Sequence, residues 1–351
     1  MRRVNDRSVP GSTRHGWVSL EYLREGLCLG AIVVVVLGAL TSLNGYSPNP
    51  IATTLLEEQY PVYSLGCTDD GHTLWFNCFH RGLVLINLEE PSDSETLRYL
   101  NTQLVDADVS SRSPRLICTT SSLGQTRWIH DREFTAELEL QPADGPISDL
   151  KTLGDGRTAV GVTNGGVITC WTWNGRGVDQ RQTRTTGSLT LVETSADGAW
   201  SAIIADNFEL LVYHVPTGVI ERRWDVRDAH CSALAVSPDG SLIATGGKEG
   251  IVRVWNRATG QLRWERRCDN LATCALDFSM DGKWLAGGGF GRTIHLWRAA
   301  DGQEEATLAA HSGTIRALSF HPDGRRLYSG GLDGRVYEWS LEQRAILRSF
   351  Q

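Results

Sequence analysis

His311, Ser329 and Asp333 fall in one stretch, HSGTIRALSFHPDGRRLYSGGLDGRVYEW (residues 311–339), which closes on Trp339. A histidine, a hydroxyl and a carboxylate are the groups of a nucleophilic triad, in which the imidazole takes the hydroxyl proton and the carboxylate orients the imidazole. Buried together, the same groups instead form a hydrogen-bond chain that ties loops to one another. The elements that hold them decide between these chemistries, because a segment that recurs along a chain is not a unique active site.

This stretch recurs. Strides of 42 residues back from Trp339 reach Trp297, Trp255, Tyr213 and Trp171, and the same stride from Asp323-Gly324 reaches Asp281-Gly282, Asp239-Gly240, Asp197-Gly198 and Asp155-Gly156. Each dipeptide follows an alternating apolar run and is a hairpin signal. Within one copy, IRALSF, RLYSGG, RVYEW and AILRSF have strand composition and are divided by turn residues; four strands in a period of about 40–45 residues is one propeller blade, and the helical spacing of 3.6 is missing.

SPDGSLIATGGKEGIVRVW and HPDGRRLYSGGLDGRVYEW resemble WD40 repeats, strongly from about residue 145 onward and weakly before it. Upstream the stride meets Ile129 and Asn87, so the aromatic is lost while strand-like segments persist. The expected fold class is all-β: a seven-bladed WD40-like β-propeller of four-stranded antiparallel blades, preceded by one N-terminal transmembrane helix. The blades are expected near 60–100, 101–143, 144–187, 188–226, 227–268, 269–308 and 309–351, with a linker over 44–59. RAILRSFQ supplies a fourth strand for the last blade, so the ring closes by packing alone, or else IATTLLEEQ (51–59) adds to or displaces that strand.

The resemblance gives the opening residues a structural role. It implies that His311, Ser329, Asp333 and Trp339 form a buried tetrad tying the loop before the first strand to the hairpin and the third strand. Blade five holds Thr245, Glu249 and Trp255 in three of these places, with Arg227 in the histidine place and His230 nearby. Blade six keeps only Trp297, with Gly287 and Gly291 in place of serine and aspartate.

Residues 27–43, LCLGAIVVVVLGALTSL, are apolar and uncharged, at the short end of what spans a membrane as a helix. Residues 1–26 carry a balance of +2, and no Lys or Arg follows the run until Arg81. By the positive-inside rule this reads as a single-pass anchor, with residues 1–26 cytoplasmic and the propeller extracytoplasmic. The cysteines pull the other way: Cys67, Cys78, Cys118, Cys170, Cys231, Cys268 and Cys274 are odd in number and lack framework spacing, which suits a reducing compartment. The use of Arg over Lys, which appears only at positions 151, 248 and 283, points to a GC-rich bacterial genome.

The chain is −7 overall, leaving about −9 beyond residue 26, and the repeats hold no basic stripe. Nucleic acid is therefore not an expected partner. GGGFGR (287–292) reads as a strand and hairpin turn rather than a phosphate cradle, and the histidines do not cluster at zinc spacing. NRATGQLRW (256–264) resembles the blade-docking motif of quinone-dependent propeller enzymes, but WD40 repeats use the same Thr-Gly turn. No cofactor, metal or catalytic residue is expected, nor a small-molecule substrate.

What remains is a membrane-tethered, non-enzymatic platform for protein partners. The alternative is an exported quinoprotein-like or lactonase-like propeller enzyme with a ligand at the central channel. The resemblance places the residue before each tetrad aspartate position on the wide face, which selects His80, Asn164, Asp206, Lys248, Phe290 and Leu332 as partner-binding candidates.

Overall fold

Short runs of β-branched, aromatic and leucine residues pair with their sequence neighbours because turns of mostly three to five residues fold each run back on the last. The computed structural model describes residues 60–350 apart from 79–81, 91–94, 98–103, 111–115, 122–125, 131–135, 141–144, 207, 227–230 and 269. For 95–97, 104–106, 116–121, 126–130 and 136–140 it gives the backbone alone. Glu58–Gln351 forms one compact unit.

The strands are β1 (Val62–Cys67), β2 (Thr73–Cys78), β3 (Gly82–Asn87) and β4 (Glu95–Leu97), then β5 (Leu104–Val109), β6 (Leu116–Ser121), β7 (Thr126–His130) and β8 (Ala136–Leu140). Next come β9 (Ile147–Thr152), β10 (Thr158–Thr163), β11 (Val167–Trp173), β12 (Val178–Arg184), β13 (Leu189–Thr194), β14 (Trp200–Ala205), β15 (Glu209–His214) and β16 (Val219–Asp225). They are followed by β17 (Cys231–Val236), β18 (Leu242–Gly247), β19 (Ile251–Asn256), β20 (Leu262–Arg267), β21 (Thr273–Phe278), β22 (Trp284–Gly289), β23 (Thr293–Arg298) and β24 (Glu304–Ala309). The last are β25 (Ile315–Phe320), β26 (Arg326–Gly331), β27 (Val336–Ser340) and β28 (Ala345–Phe350). Each consecutive set of four forms a four-stranded sheet in sequence order.

The expected plan of seven like blades is corrected. Six blades, not seven, are described with packed side chains, those beginning at β1, β9, β13, β17, β21 and β25; β5–β8 enters as backbone pairing, with side chains only at the end of β5. That segment also lacks the aspartate-glycine turn and the aromatic place that define the unit. Residues 27–43 lie outside the described residues, as do 51–59, and among the described residues there is no helix.

Burial follows position in the blade. The second strands TAVGVT, WSAIIA and LIATGG are buried at every residue, because neighbouring blades cover both of their faces. The fourth strands, such as VDQRQTR and LRWERR, are mostly exposed. Cores lie between blades: Val252, Val254 and Trp264 share a cluster with Leu276, Phe278, Leu285 and Trp297 of the next blade. The pairing of first and second strands slips at the same place in successive copies, between Leu189 and Leu191, Cys231 and Ala233, Thr273 and Ala275, and Ile315 and Ala317. A bulge at that point adds local twist to each blade.

The ring closes by packing of the first described blade on the last. Val62, Leu65 and Phe76 share a core with Ala317, Tyr328 and Val336. A Cβ on Gly330 would stand 2.7 Å from Val62 Cγ1, so glycine is what lets β1 approach β26. The Cys67 amide donates to Ser319 Oγ at 3.0 Å, and His321 Nε2 lies 3.1 Å from the Gly71 carbonyl. The fourth strand of the last blade is β28, from its own end of the chain.

Candidate functional site

The turns between first and second strands repeat one device. Ser237 Oγ donates to Asp239 Oδ1 at 2.6 Å, the Ser241 amide donates to the same oxygen, and Gly240 takes φ 67° so that its amide reaches the Ser237 carbonyl. Ser195 with Asp197, Ser279 with Asp281 and Thr68 with Asp70 repeat the hydroxyl bond. These aspartates are spent on turn geometry.

The opening residues meet on the opposite side of the last blade. Trp339 Nε1 donates to Ser329 Oγ at 2.8 Å, and Ser329 Oγ lies 2.8 Å from His311 Nε2. His311 Nδ1 lies 2.9 and 3.0 Å from the Asp333 oxygens. A consistent assignment runs one way: indole to hydroxyl, hydroxyl to Nε2, Nδ1–H to carboxylate, which leaves every group satisfied. Asp333 also accepts the amides of Ser312 at 2.8 Å and Arg335 at 3.2 Å, so it joins the loop before β25 to the β26–β27 turn. Burial disfavours its charge, but the His311 bond and these amides outweigh that and hold the carboxyl down at about 2.

This cluster has no open face. Ser329 is 0% exposed, and Tyr337 packs edge-on against both His311 and Trp339, at 4.8 and 5.8 Å between ring centres. A Cβ on Gly331 would stand 2.8 Å from His311 Nδ1, so the second strand must carry glycine there. Elsewhere the chain is partial. Trp255 Nε1 donates to Thr245 Oγ1 at 2.9 Å, while Arg227 and His230 lie outside the described residues. In the β21–β24 blade, the Trp297 ring covers Gly287, 2.8 Å from where a Cβ would sit.

The innermost strands surround a central cavity of about 660 Å³. Carboxylates line it, a feature sequence reasoning missed: Asp108 Oδ2 accepts the amide and hydroxyl of Thr152 at 2.7 and 2.8 Å, Asp149 the Val192 amide at 2.8 Å, and Asp277 the Phe320 amide at 2.7 Å. Each bond runs from one blade to the innermost strand of the next. Burial among the channel walls pushes the Asp277 carboxyl up to about 7, against the Phe320 amide that favours its charged form. The only hint was an aspartate in the otherwise apolar run TCALDF. Lys151 and Glu193 pair across the wall at 3.7 Å, and among the described residues no three His, Cys, Asp or Glu gather to hold a metal ion. Cys67, Cys170 and Cys231 are free thiols; burial pushes Cys67 up to about 12 and Cys231 to about 11.

The wide-face candidates separate into two kinds. Asn164 Oδ1 accepts the Ser148 and Ser188 hydroxyls at 2.7 and 3.3 Å, so it staples two loops. Asp206 and Lys248 are exposed, and Phe290 and Leu332 are 49% and 40% exposed despite their apolar side chains. The amides of Asp206, Phe290 and Leu332 bond to the carbonyls of Ser188, Ala272 and Thr314, the same contact two repeats and then one repeat apart. His80 lies outside the described residues.

A family model, "WD domain, G-beta repeat", matches residues 224–256, 268–298 and 302–340, the part of the chain that holds these turns and the tetrad. Over these residues the chain carries WD40 repeats. Among WD40 relatives, an uncharacterized WD repeat-containing protein of Synechocystis sp. is 30% identical over 119 residues, 34% of this chain and 34% of that protein. Small ribosomal subunit protein RACK1z of Arabidopsis thaliana is 56% identical over 32 residues, 9% of this chain and 10% of its own length. RACK1y of Oryza sativa subsp. japonica is 27% identical over 82 residues, 23% and 24% of the two chains. The WD40 chain thus spans about a third or less of the length of these curated relatives.

Proposed function

We propose that this chain is a membrane-tethered, non-enzymatic platform that binds other proteins on the wide face of its propeller. The observation that carries the reading is the exposure of Phe290 and Leu332 at equivalent turns of adjacent blades, since large apolar side chains at the tips of rigid turns are the anchors a protein interface uses. The name of the RACK1 relatives, small ribosomal subunit proteins, supports membership of a larger assembly. The non-enzymatic part draws on the engagement of Asp108, Asp149 and Asp277 by backbone amides and on the enclosure of Ser329.

The tether rests on the uncharged run 27–43, and the extracytoplasmic placement on the basic residues before it. A photo-crosslinking residue in place of Phe290, expressed in the native host, tests the platform. Protein adducts are expected there, and none when the same residue replaces Arg222 on outer strand β16. Protease added to intact cells tests the topology: digestion of the propeller is expected, whereas full protection places it in the cytoplasm.

A further inference from the structure

The platform reading leaves the partner's chemistry open, and resting on that reading we propose that the wide face over the last three blades receives an acidic segment of a partner protein carrying an apolar anchor side chain. The sector is continuous. Cys268 bonds to the Gly250 carbonyl, Phe290 to Ala272, Arg292 Nη1 to the Ser312 carbonyl at 3.3 Å, and Leu332 to Thr314. These contacts join the β18–β19, β22–β23 and β26–β27 turns, through the loops between them, into one surface.

Its apolar centre consists of Leu271, Phe290 and Leu332, at 52%, 49% and 40% exposure. Around that centre stand Lys248, Arg267 and Arg292 on the turns and strand ends, and Arg316 at the channel mouth, all exposed. Among the described residues of these turns and loops the carboxylates are Glu249, which is exposed, and Asp333, which is enclosed in the tetrad. A basic rim is notable on a chain of net charge −7. At the equivalent turn of β13–β16 the sign reverses, with Asp206 exposed.

The backbone adds a second sign. One position in these turns takes positive φ, and it is filled by Gly166, Gly250 and Gly334 at 77°, 72° and 71°. The β14–β15 turn places Phe208 there at 65°, and in the β22–β23 turn the same position holds Arg292 at 63°. A long side chain stands where the turn favours glycine, and it places a cation beside Phe290. Arg267 and Arg292 each give one N–H to a carbonyl, of Glu249 and Ser312, which fixes the direction of the remaining donors. Directed guanidinium donors suit the carboxylates of Asp and Glu side chains in an ordered segment. A fluid anionic bilayer needs no such direction, and Glu249 opposes it.

The test selects random displayed peptides against the full chain and measures a synthetic copy of an enriched sequence by fluorescence anisotropy. Enrichment of Asp and Glu around an aromatic or leucine residue is expected. Affinity should fall about tenfold or more in Phe290→Ser and in the double variant Lys248→Glu, Arg292→Glu, and should weaken with salt, with thermal melting showing that the exposed substitutions leave the fold intact. Neutral or basic enriched sequences, acidic binders indifferent to both variants, or no enriched sequence at all would each overturn the proposal. So would binding of phosphatidylserine-containing vesicles that the same variants abolish while no peptide is selected. The platform itself is judged separately, by the crosslinks at Phe290.

Discussion

The β25–β28 and β21–β24 blades share a period, the bulges and an indole at the same place, yet they fix that indole by different means. In β25–β28 the Trp339 ring gives its N–H to Ser329, and His311 and Asp333 continue the chain to the loop amides. In β21–β24 the Trp297 ring turns over Gly287, stacks on His295 at 5.6 Å with planes 11° apart, and touches Trp264 of the preceding blade. The indole is the common requirement because it fills the gap between blades, whereas a polar chain and a glycine-backed stack are interchangeable ways of holding it. The glycine is part of the second solution.

The largest expected effect comes from breaking the polar solution. Asp333→Ala removes the acceptor of His311 and of the Ser312, Gly313 and Arg335 amides at once and leaves buried donors unpaired, which destabilises by about 3 kcal/mol. Chemical denaturation of the full chain measures it. A cost below about 1 kcal/mol would mean that packing of Tyr337 and Trp339 holds the blade without the chain. Gly287→Ser comes next, and it imposes the polar solution on the other blade. Its Cβ would stand 2.8 Å from the Trp297 ring and 3.0 Å from Leu276 Cδ2, an overpacking worth about 2 kcal/mol. A gain in stability would instead show that Trp297 swings to donate to the new hydroxyl, and the two solutions would then differ only by rotamer.

The polar solution also responds to acid, through Asp333. The Asp333 carboxyl is held at about 2 in the folded chain, below the ordinary carboxylate range near 4. Its contribution is therefore complete above about pH 4 and is lost as the pH falls through about 2, an effect of about 2 kcal/mol by linkage. The stability difference between the native chain and Asp333→Asn should shrink over that window and stay flat between pH 5 and 7. A difference that changes in the neutral range would place its origin elsewhere in the network.

This contrast was legible in the sequence only as far as the stride carries it. The 42-residue interval located the turns and the aromatic places, and the WD40 resemblance implied the tetrad, because each depends on residue identity at a fixed position. It did not show that the ring over Gly287 excludes a serine, since that depends on a side-chain rotamer. The bonds from Asp108, Asp149 and Asp277 were likewise hidden, because they join strands about one repeat apart and no local pattern marks an acceptor for the next blade. The β5–β8 segment keeps strand composition and antiparallel pairing while losing the turn and aromatic markers, so the stride alone did not mark it.

The smallest effect tests whether the difference between neighbouring turns is structural or functional. Arg292 takes φ 63° at a place where Gly250 takes 72° in the blade before. A residue with a Cβ costs about 1 kcal/mol or more in this region, and glycine returns part of that through its freer unfolded chain. Arg292→Gly should therefore stabilise by about 0.5 kcal/mol, while Gly250→Arg should destabilise by about 1 kcal/mol. If both hold in denaturation measurements, the arginine persists against the preference of its own turn, and its reason must lie in what it meets on the wide face. If Arg292→Gly destabilises instead, the bond to the Ser312 carbonyl is what retains it, and the turn needs no partner to explain it.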